Sequence, residues 1–267
     1  MLLSPSPSFE ELKGFFWSLS IVQARMAPMF LLIPFMNRSM VPRTIMFAVA
    51  AGIGLLVIPT LPPMADDWPS GFALIGLVTK EAVIGFTLGF LVAIPFWAIE
   101  AAGFVIDNQR GASMAATVNP MTGHDSSPLG IAFNFAFITF FLSTGGLNLL
   151  LGLIYDSYRF WPPLDVWPRF GFDAAELLLS QINRLMLLAM MLAAPVLIAM
   201  LMSELGLALI SRFAPQLQVF FLAMPIKSAL ALFVLVIYSS TLFDYSFVPV
   251  REMSGWLERL DPLVRPR

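Results

Sequence analysis

Residues 128–155 read PLGIAFNFAFITFFLSTGGLNLLLGLIY, and their reading decides the fold. Between Asp125 and Asp156 no side chain carries a charge at neutral pH. At 1.5 Å per residue, about 20 helical positions cross the roughly 30 Å hydrocarbon core of a bilayer. The stretch therefore predicts one spanning helix with residues to spare. Immediately before it runs a polar, turn-rich segment, DNQRGASMAATVNPMTGHDSSP, residues 107–128. The strongest membrane signal and the most distinctive loop lie side by side.

Composition points the same way. Of 267 residues, 58% are apolar and only 12% charged, a balance foreign to soluble domains. The net charge is −2 with scattered basic residues, which argues against a nucleic-acid surface. Cysteine is absent, so disulfides and thiolate chemistry are excluded. The opening MLLSPSPSFEEL places prolines and two glutamates where a signal peptide carries basic residues, so no cleavable leader is expected.

Around the central span the chain predicts further apolar helices. Phe15–Met36 carries Gln23, Arg25, Pro28 and Pro34. A charged Arg25 costs a few kcal/mol at a bilayer centre, so it either faces protein, water or a carboxylate, or snorkels to an interface. Thr44–Leu61 is rich in Ala and Gly and suits close packing. Gly71–Ile106 is too long for one crossing and contains Lys80, Glu81, Glu100 and Pro95. It is either one helix kinked at Pro95 or two pieces meeting there. Gly85 and Gly89 form a GxxxG-like pair, common enough in apolar helices to be weak evidence of a contact. Lys80 and Glu81, adjacent in sequence, are expected to point apart and to need partners elsewhere. Trp161 and Trp167 suit an interfacial loop. Ala174–Met202, with Arg184 and Pro195, and Ser228–Phe243 complete about six long, partly broken helices. The arginine-bearing tail from Asp244 onward reads as a short amphipathic helix. The fold class is an all-α, multi-pass integral membrane protein.

Basic residues in alternate loops, Arg38 with Arg43, then Arg110, then Arg212 with Lys227, place those loops in the cytoplasm. Six crossings would then leave the basic tail outside, against the same rule. Catalytic constellations are absent from the sequence pattern. His124 is the single histidine, so neither a two-histidine zinc helix nor a Ser-His-Asp triad can be assembled within the chain. No cofactor or metal is expected.

At the loop the residues become specific. I106-D-N-Q-R-G-A-S-M-A, N119-P-M-T-G, S126-S-P-L-G and S211-R-F-A-P-Q-L-Q-V-F-F-L-A-M-P-I-K227 resemble the export-gate family of bacterial type III secretion. That is the family of the flagellar biosynthesis R subunit and its virulence-system counterpart, the T subunit. DNQRG together with SYRFWP is more similar to the injection-apparatus branch. The resemblance covers the chain from its first apolar segment to about Arg251. It implies a non-enzymatic subunit of the bacterial inner membrane, a single copy of which joins several P-like (R-like) and Q-like (S-like) subunits in a hetero-oligomeric gate. Exported unfolded proteins would pass through its centre, and a switch-type subunit would wrap its entrance. It further implies a P-like part over residues 1–173, a Q-like helical hairpin over 174–250 and a short polar tail over 251–267. A gate lifted largely out of the bilayer plane would tolerate charges at Arg25, Lys80, Glu81 and Glu100.

The same resemblance places a channel-closing plug in residues 107–128, with Asp107, Arg110, Gly111, Ser113, Met114, Asn119, Pro120 and Gly123. The residues themselves agree, since small side chains permit close backbone approach and methionines fill irregular holes and yield. Asp107 and Arg110 are spaced to pair across one helical turn. A cytoplasmic hairpin tip is expected at Arg212, Pro215, Gln216, Gln218, Pro225 and Lys227. The competing reading is a secondary transporter or channel for a small solute, which broken helices and buried charges would serve equally well. Its signature, an inverted repeat, is not visible in the sequence.

Overall fold

The structure, a computed structural model, describes residues 9–36, 41–60, 71–112, 127–165, 172–214 and 219–264. Every regular element among the described residues is helical: α1 (Phe9–Leu32), α2 (Arg43–Leu55), α3 (Phe72–Gln109), α4 (Pro128–Ser143), α5 (Gly146–Phe160), α6 (Phe172–Phe213), α7 (Val219–Arg251) and α8 (Trp256–Val264), with short 3-10 turns between some of them. Four helices are long and apolar enough to cross a membrane, within α1, α3, α6 and α7. The pair α4 and α5, taken as one broken span, makes a fifth.

The central stretch departs from its expected form. Instead of one spanning helix, the chain bends at Thr144–Gly145. Gly145 adopts φ 84°, a left-handed conformation that glycine takes without the Cβ penalty. The Thr144 amide and hydroxyl both donate to the Phe140 carbonyl, at 3.0 and 2.7 Å, so the end of α4 is satisfied locally. Its start is equally well defined: Pro128 occupies the first turn and the Ser127 hydroxyl accepts from the Gly130 amide at 2.9 Å.

α3 resolves the alternative left open at Pro95, because it runs unbroken through that proline for 38 residues. At 1.5 Å per residue it is about 57 Å long. α6 extends past the expected end of its segment to Phe213, and α7 begins at Val219 rather than near Ser228. Pro225 and Lys227 therefore lie inside α7, and the connection is shorter than the sequence pattern implied.

The chain forms two compact units, Met1–Ala93 with Asn148–Leu177 and Met253–Arg267, and Ile94–Leu147 with Leu178–Glu252. In the first, α1 and the N-terminal part of α3 approach backbone to backbone. A Cβ built on Gly85 would overlap the Arg25 carbonyl oxygen, and one on Gly89 would lie 2.7 Å from that of Met29. The glycine pair read as weak evidence is thus a helix seam. Ile21, Val22, Phe30, Ile84 and Leu88 are buried around it. α8 is amphipathic as its pattern indicated, with Trp256, Leu257 and Leu260 buried and Glu258 and Arg259 exposed.

In the second unit, Phe96 meets Phe137 and Phe141 edge to face, at centroid distances of 4.9 and 5.2 Å. Phe247 of α7 extends the cluster, lying edge to face with Phe140 at 5.5 Å. α3 and α4 touch through backbone, since a Cβ on Gly103 would lie 2.6 Å from Gly130 Cα. α6 and α7 leave long apolar ridges exposed, including Leu187, Met191, Phe233 and Val236.

Candidate functional site

Two polar constellations are set into these apolar surroundings, one in each unit. In the first unit the C-terminal end of α5 leaves backbone carbonyls without intrahelical donors, and the turn after it contains Pro162 and Pro163, which donate nothing. Arg25 of α1 and Lys80 of α3 add donors there, beside the Trp161 amide that reaches the Ser157 carbonyl at 3.0 Å and the Asp165 amide that reaches the Pro162 carbonyl at 3.2 Å. The Arg25 guanidinium reaches the Ser157 carbonyl and hydroxyl, at 2.8 and 3.1 Å, and the Trp161 carbonyl at 2.7 Å. Lys80 Nζ donates to the carbonyls of Pro163 and Asp165, at 2.6 and 3.0 Å, with that of Pro162 at 3.4 Å.

Glu81 lies between the two cations. Its Oε2 accepts from Arg25 Nε at 2.6 Å and its Oε1 is 3.0 Å from Lys80 Nζ. The expectation that Lys80 and Glu81 point apart is corrected: they pair with each other as well as with more distant groups. Arg25, Lys80 and Glu81 are 1%, 3% and 0% exposed, so snorkelling to an interface is ruled out for Arg25. Two cations and one carboxylate leave an excess positive charge, which the carbonyls at a helix C-terminus suit. Tyr158 completes the cluster, its ring 4.0 Å from the guanidinium and its hydroxyl donating to the Val22 carbonyl at 3.0 Å. Every nitrogen of Arg25 has an acceptor, so the cluster is a clamp between helices.

Glu100 does not belong to this set. It lies in the second unit, half-buried rather than buried, and its Oε2 accepts from Asn134 Nδ2 at 2.7 Å.

The second constellation closes the base of the central loop. Asp107, 3% exposed, sits in the last turn of α3. Its Oδ1 takes the Arg110 guanidinium, with Nε and Nη2 each at 2.7 Å, the pairing expected from their spacing. Its Oδ2 accepts from the Ser127 hydroxyl at 2.6 Å and the Leu129 amide at 2.9 Å. One carboxylate therefore ties the departing end of the loop to its returning end, using the N-terminal amides of α4 as a helix start uses any anion. Gly111, with φ 83°, turns the chain out of α3. Ser113, Met114, Asn119, Pro120 and Gly123 lie outside the described residues.

Nearby in the same unit, Lys227 of α7 pairs with Glu204 of α6 at 2.9 Å. Arg212 falls in the last turn of α6, whereas Pro215, Gln216 and Gln218 lie outside the described residues. Sequence reasoning missed Ser127, Asn134, Ser157, Tyr158 and Glu204. Ser127 was legible as a serine before a proline and an apolar run, and Asn134 as the first amide of the charge-free stretch. Among the described residues no group of three or more metal-ligating side chains is gathered.

An all-helical chain with four or five membrane-length helices, its charges spent on internal clamps, is a multi-pass membrane protein. The chain belongs to the bacterial export proteins, family 1, which it matches over residues 16–250. It is 38% identical over 228 residues to the Yop proteins translocation protein T of Yersinia pestis, covering 85% of this chain and 87% of that one. It is 35% identical over 240 residues to the surface presentation of antigens protein SpaR of Shigella flexneri, covering 88% and 90%. To the flagellar biosynthetic protein FliR of Bacillus subtilis it is 28% identical over 225 residues, covering 84% and 86%. The chain is thus a type III export-apparatus T subunit related to the flagellar R subunit, and a multi-pass protein of the bacterial inner membrane.

Proposed function

We propose that the protein is a structural, non-enzymatic subunit of a type III secretion export gate, forming with P-like and Q-like subunits the channel through which unfolded proteins leave the cell. In this reading residues 107–128 form a plug in that channel. Residues 1–173 correspond to a P-like part and 174–250 to a Q-like hairpin, and Arg212 with residues 215–218 forms a cytoplasmic tip near a switch-type subunit. The observation that carries it is the Asp107 clasp. A loop that merely connects two helices needs no buried carboxylate joining both its ends, whereas a loop that must stay seated against a pressure of ions and solutes does.

Deleting residues 111–117 should leave the gate assembled and make it conduct ions, because the clasp's partner at Ser127 remains while the closing segment is shortened. Planar-bilayer recordings of the purified complex read this directly. A deleted gate as tight as the parent would overturn the plug assignment. If the chain, extracted gently from cells that make the whole apparatus, is recovered without any unlike export subunit, the gate assignment itself is overturned.

A further inference from the structure

Within the second unit, the seam between α3 and α4 exposes a carboxylate that the chain leaves unfinished. Among the described residues Glu100 receives one hydrogen-bond donor, the Asn134 amide at 2.7 Å, although an ionised carboxylate has about four acceptor positions. Asn134 Oδ1 is itself buried without a hydrogen-bond donor. Asp107, seven residues further along the same helix, shows what a completed site looks like here, with Arg110, Ser127 and Leu129 all donating to it. Around Glu100 the surface is apolar: Phe104, Ile131 and Phe135 are 43%, 44% and 51% exposed. A half-buried acid rimmed by exposed aromatic and aliphatic side chains, in a helix of membrane length, requires a cation brought in with an apolar surface around it.

Among the described residues, the long apolar helices of this chain offer no such cation to a second copy of itself. The basic side chains lying well inside its long apolar helices are each engaged: Arg25 and Lys80 with Glu81, Arg184 with Glu252, and Lys227 with Glu204. We infer that Glu100 and Asn134 form a docking socket for an apolar helix of an unlike subunit that carries a lysine or arginine. The inference rests on the reading of the chain as one component of an assembled gate, and it names the chemistry of one of its interfaces.

The test uses the whole apparatus in the bacterial membrane. A photo-crosslinking residue placed at Phe104, and separately at Ile131, should capture one export-apparatus subunit other than this chain. The captured peptide should contain a lysine or arginine within about one helical turn of the attachment point. Glu100→Gln keeps an acceptor for Asn134 and should leave the melting of the isolated chain unchanged, while lowering recovery of that subunit by about tenfold, as loss of one charge-assisted interfacial pair does. Glu100→Arg should abolish recovery, and exchange of the captured basic residue for glutamate should restore it. The inference is overturned if the crosslinks go to lipid alone or to a second copy of this chain. It is also overturned if the captured peptide lacks a basic residue, or if Glu100→Gln recovers every subunit as the parent does. If the parent chain itself recovers no unlike subunit, the gate reading falls first, and the two failures are told apart by that control.

Discussion

Replacing Glu81 by glutamine removes the anion from a site that holds two cations. The three side chains are at most 3% exposed, and the carboxylate is 2.6 Å from Arg25 Nε and 3.0 Å from Lys80 Nζ. Breaking a buried ion pair by removing one partner costs about 3 to 5 kcal/mol, since the remaining charge is left uncompensated. The folded-to-unfolded ratio should fall by roughly a hundred- to four-thousand-fold at about 1.4 kcal/mol per decade. Arg25→Met removes the opposite charge and strands the Trp161 carbonyl, at about 1 to 3 kcal/mol, while the Ser157 carbonyl keeps the Trp161 amide at 3.0 Å. In the double variant the repulsion between Arg25 and Lys80 is gone, so the two losses should sum to more than the double loses, by about 1 to 3 kcal/mol. Equilibrium unfolding of the purified chain in mixed micelles measures all four corners of the cycle. The loss should persist between low and high salt, because a dry pair is poorly screened. Additivity within about 0.5 kcal/mol, or a Glu81→Gln loss below about 1 kcal/mol, would refute the coupling.

Gly85→Leu should abolish monodisperse folded protein, since any Cβ there overlaps the α1 backbone, whereas Gly76→Ala, with nothing within 4 Å, should fold at parental yield or better. Asp107→Ala leaves the Ser127 hydroxyl and the Leu129 amide without their shared acceptor. It should loosen the clasp by about 1 to 3 kcal/mol, read as faster proteolysis within residues 113–126 at unchanged assembly. A cysteine at Gln216 or Gln218 should react with an impermeant maleimide added from the cytoplasmic side and be protected from the periplasmic side. Periplasmic labelling would reverse the orientation.

How much could be read beforehand follows from the range of each interaction. The helices were legible because apolar length is a local property, and the start of α4 was legible because Ser127 and Pro128 are a local cap. The Asp107 to Arg110 pair was legible for the same reason, being one helical turn apart. The ionic clamp was not, because Arg25 meets Glu81 and Ser157 across 56 and 132 positions of chain, and a buried charge announces a need without naming who meets it. The break at Gly145 was hidden by composition: STGG lies in a run apolar enough to span without interruption, and hydropathy alone carries no information about φ. Glu100 looked like Glu81 in sequence, an acid in an apolar helix. Its difference lies entirely in how many donors the surrounding fold brings to it.

The exposed ridge of α6 bears on why this chain is built to be assembled. Apolar side chains are exposed along it from Leu179, 63% exposed, to Phe213, 88% exposed. Thirty-four residues of helix separate those two positions, about 51 Å at the helical rise. A hydrocarbon core of roughly 30 Å covers that length only if the helix tilts by about 54°, beyond the 0 to 40° over which membrane helices are found. Lipid therefore cannot shield the whole ridge at any ordinary tilt. Water is a poor cover for Leu205, Leu209 and Ile210, which continue the ridge towards the same end at 52%, 63% and 50% exposure, while the exposed Glu204 and Arg212 give that end a polar edge. Protein is the better cover for the surplus, and among the described residues α7 of the same unit does not supply it, since the ridge is exposed with α7 in place. A neighbouring subunit packed along α6, as the proposed gate would supply, fits the length of the helix independently of any single charged residue.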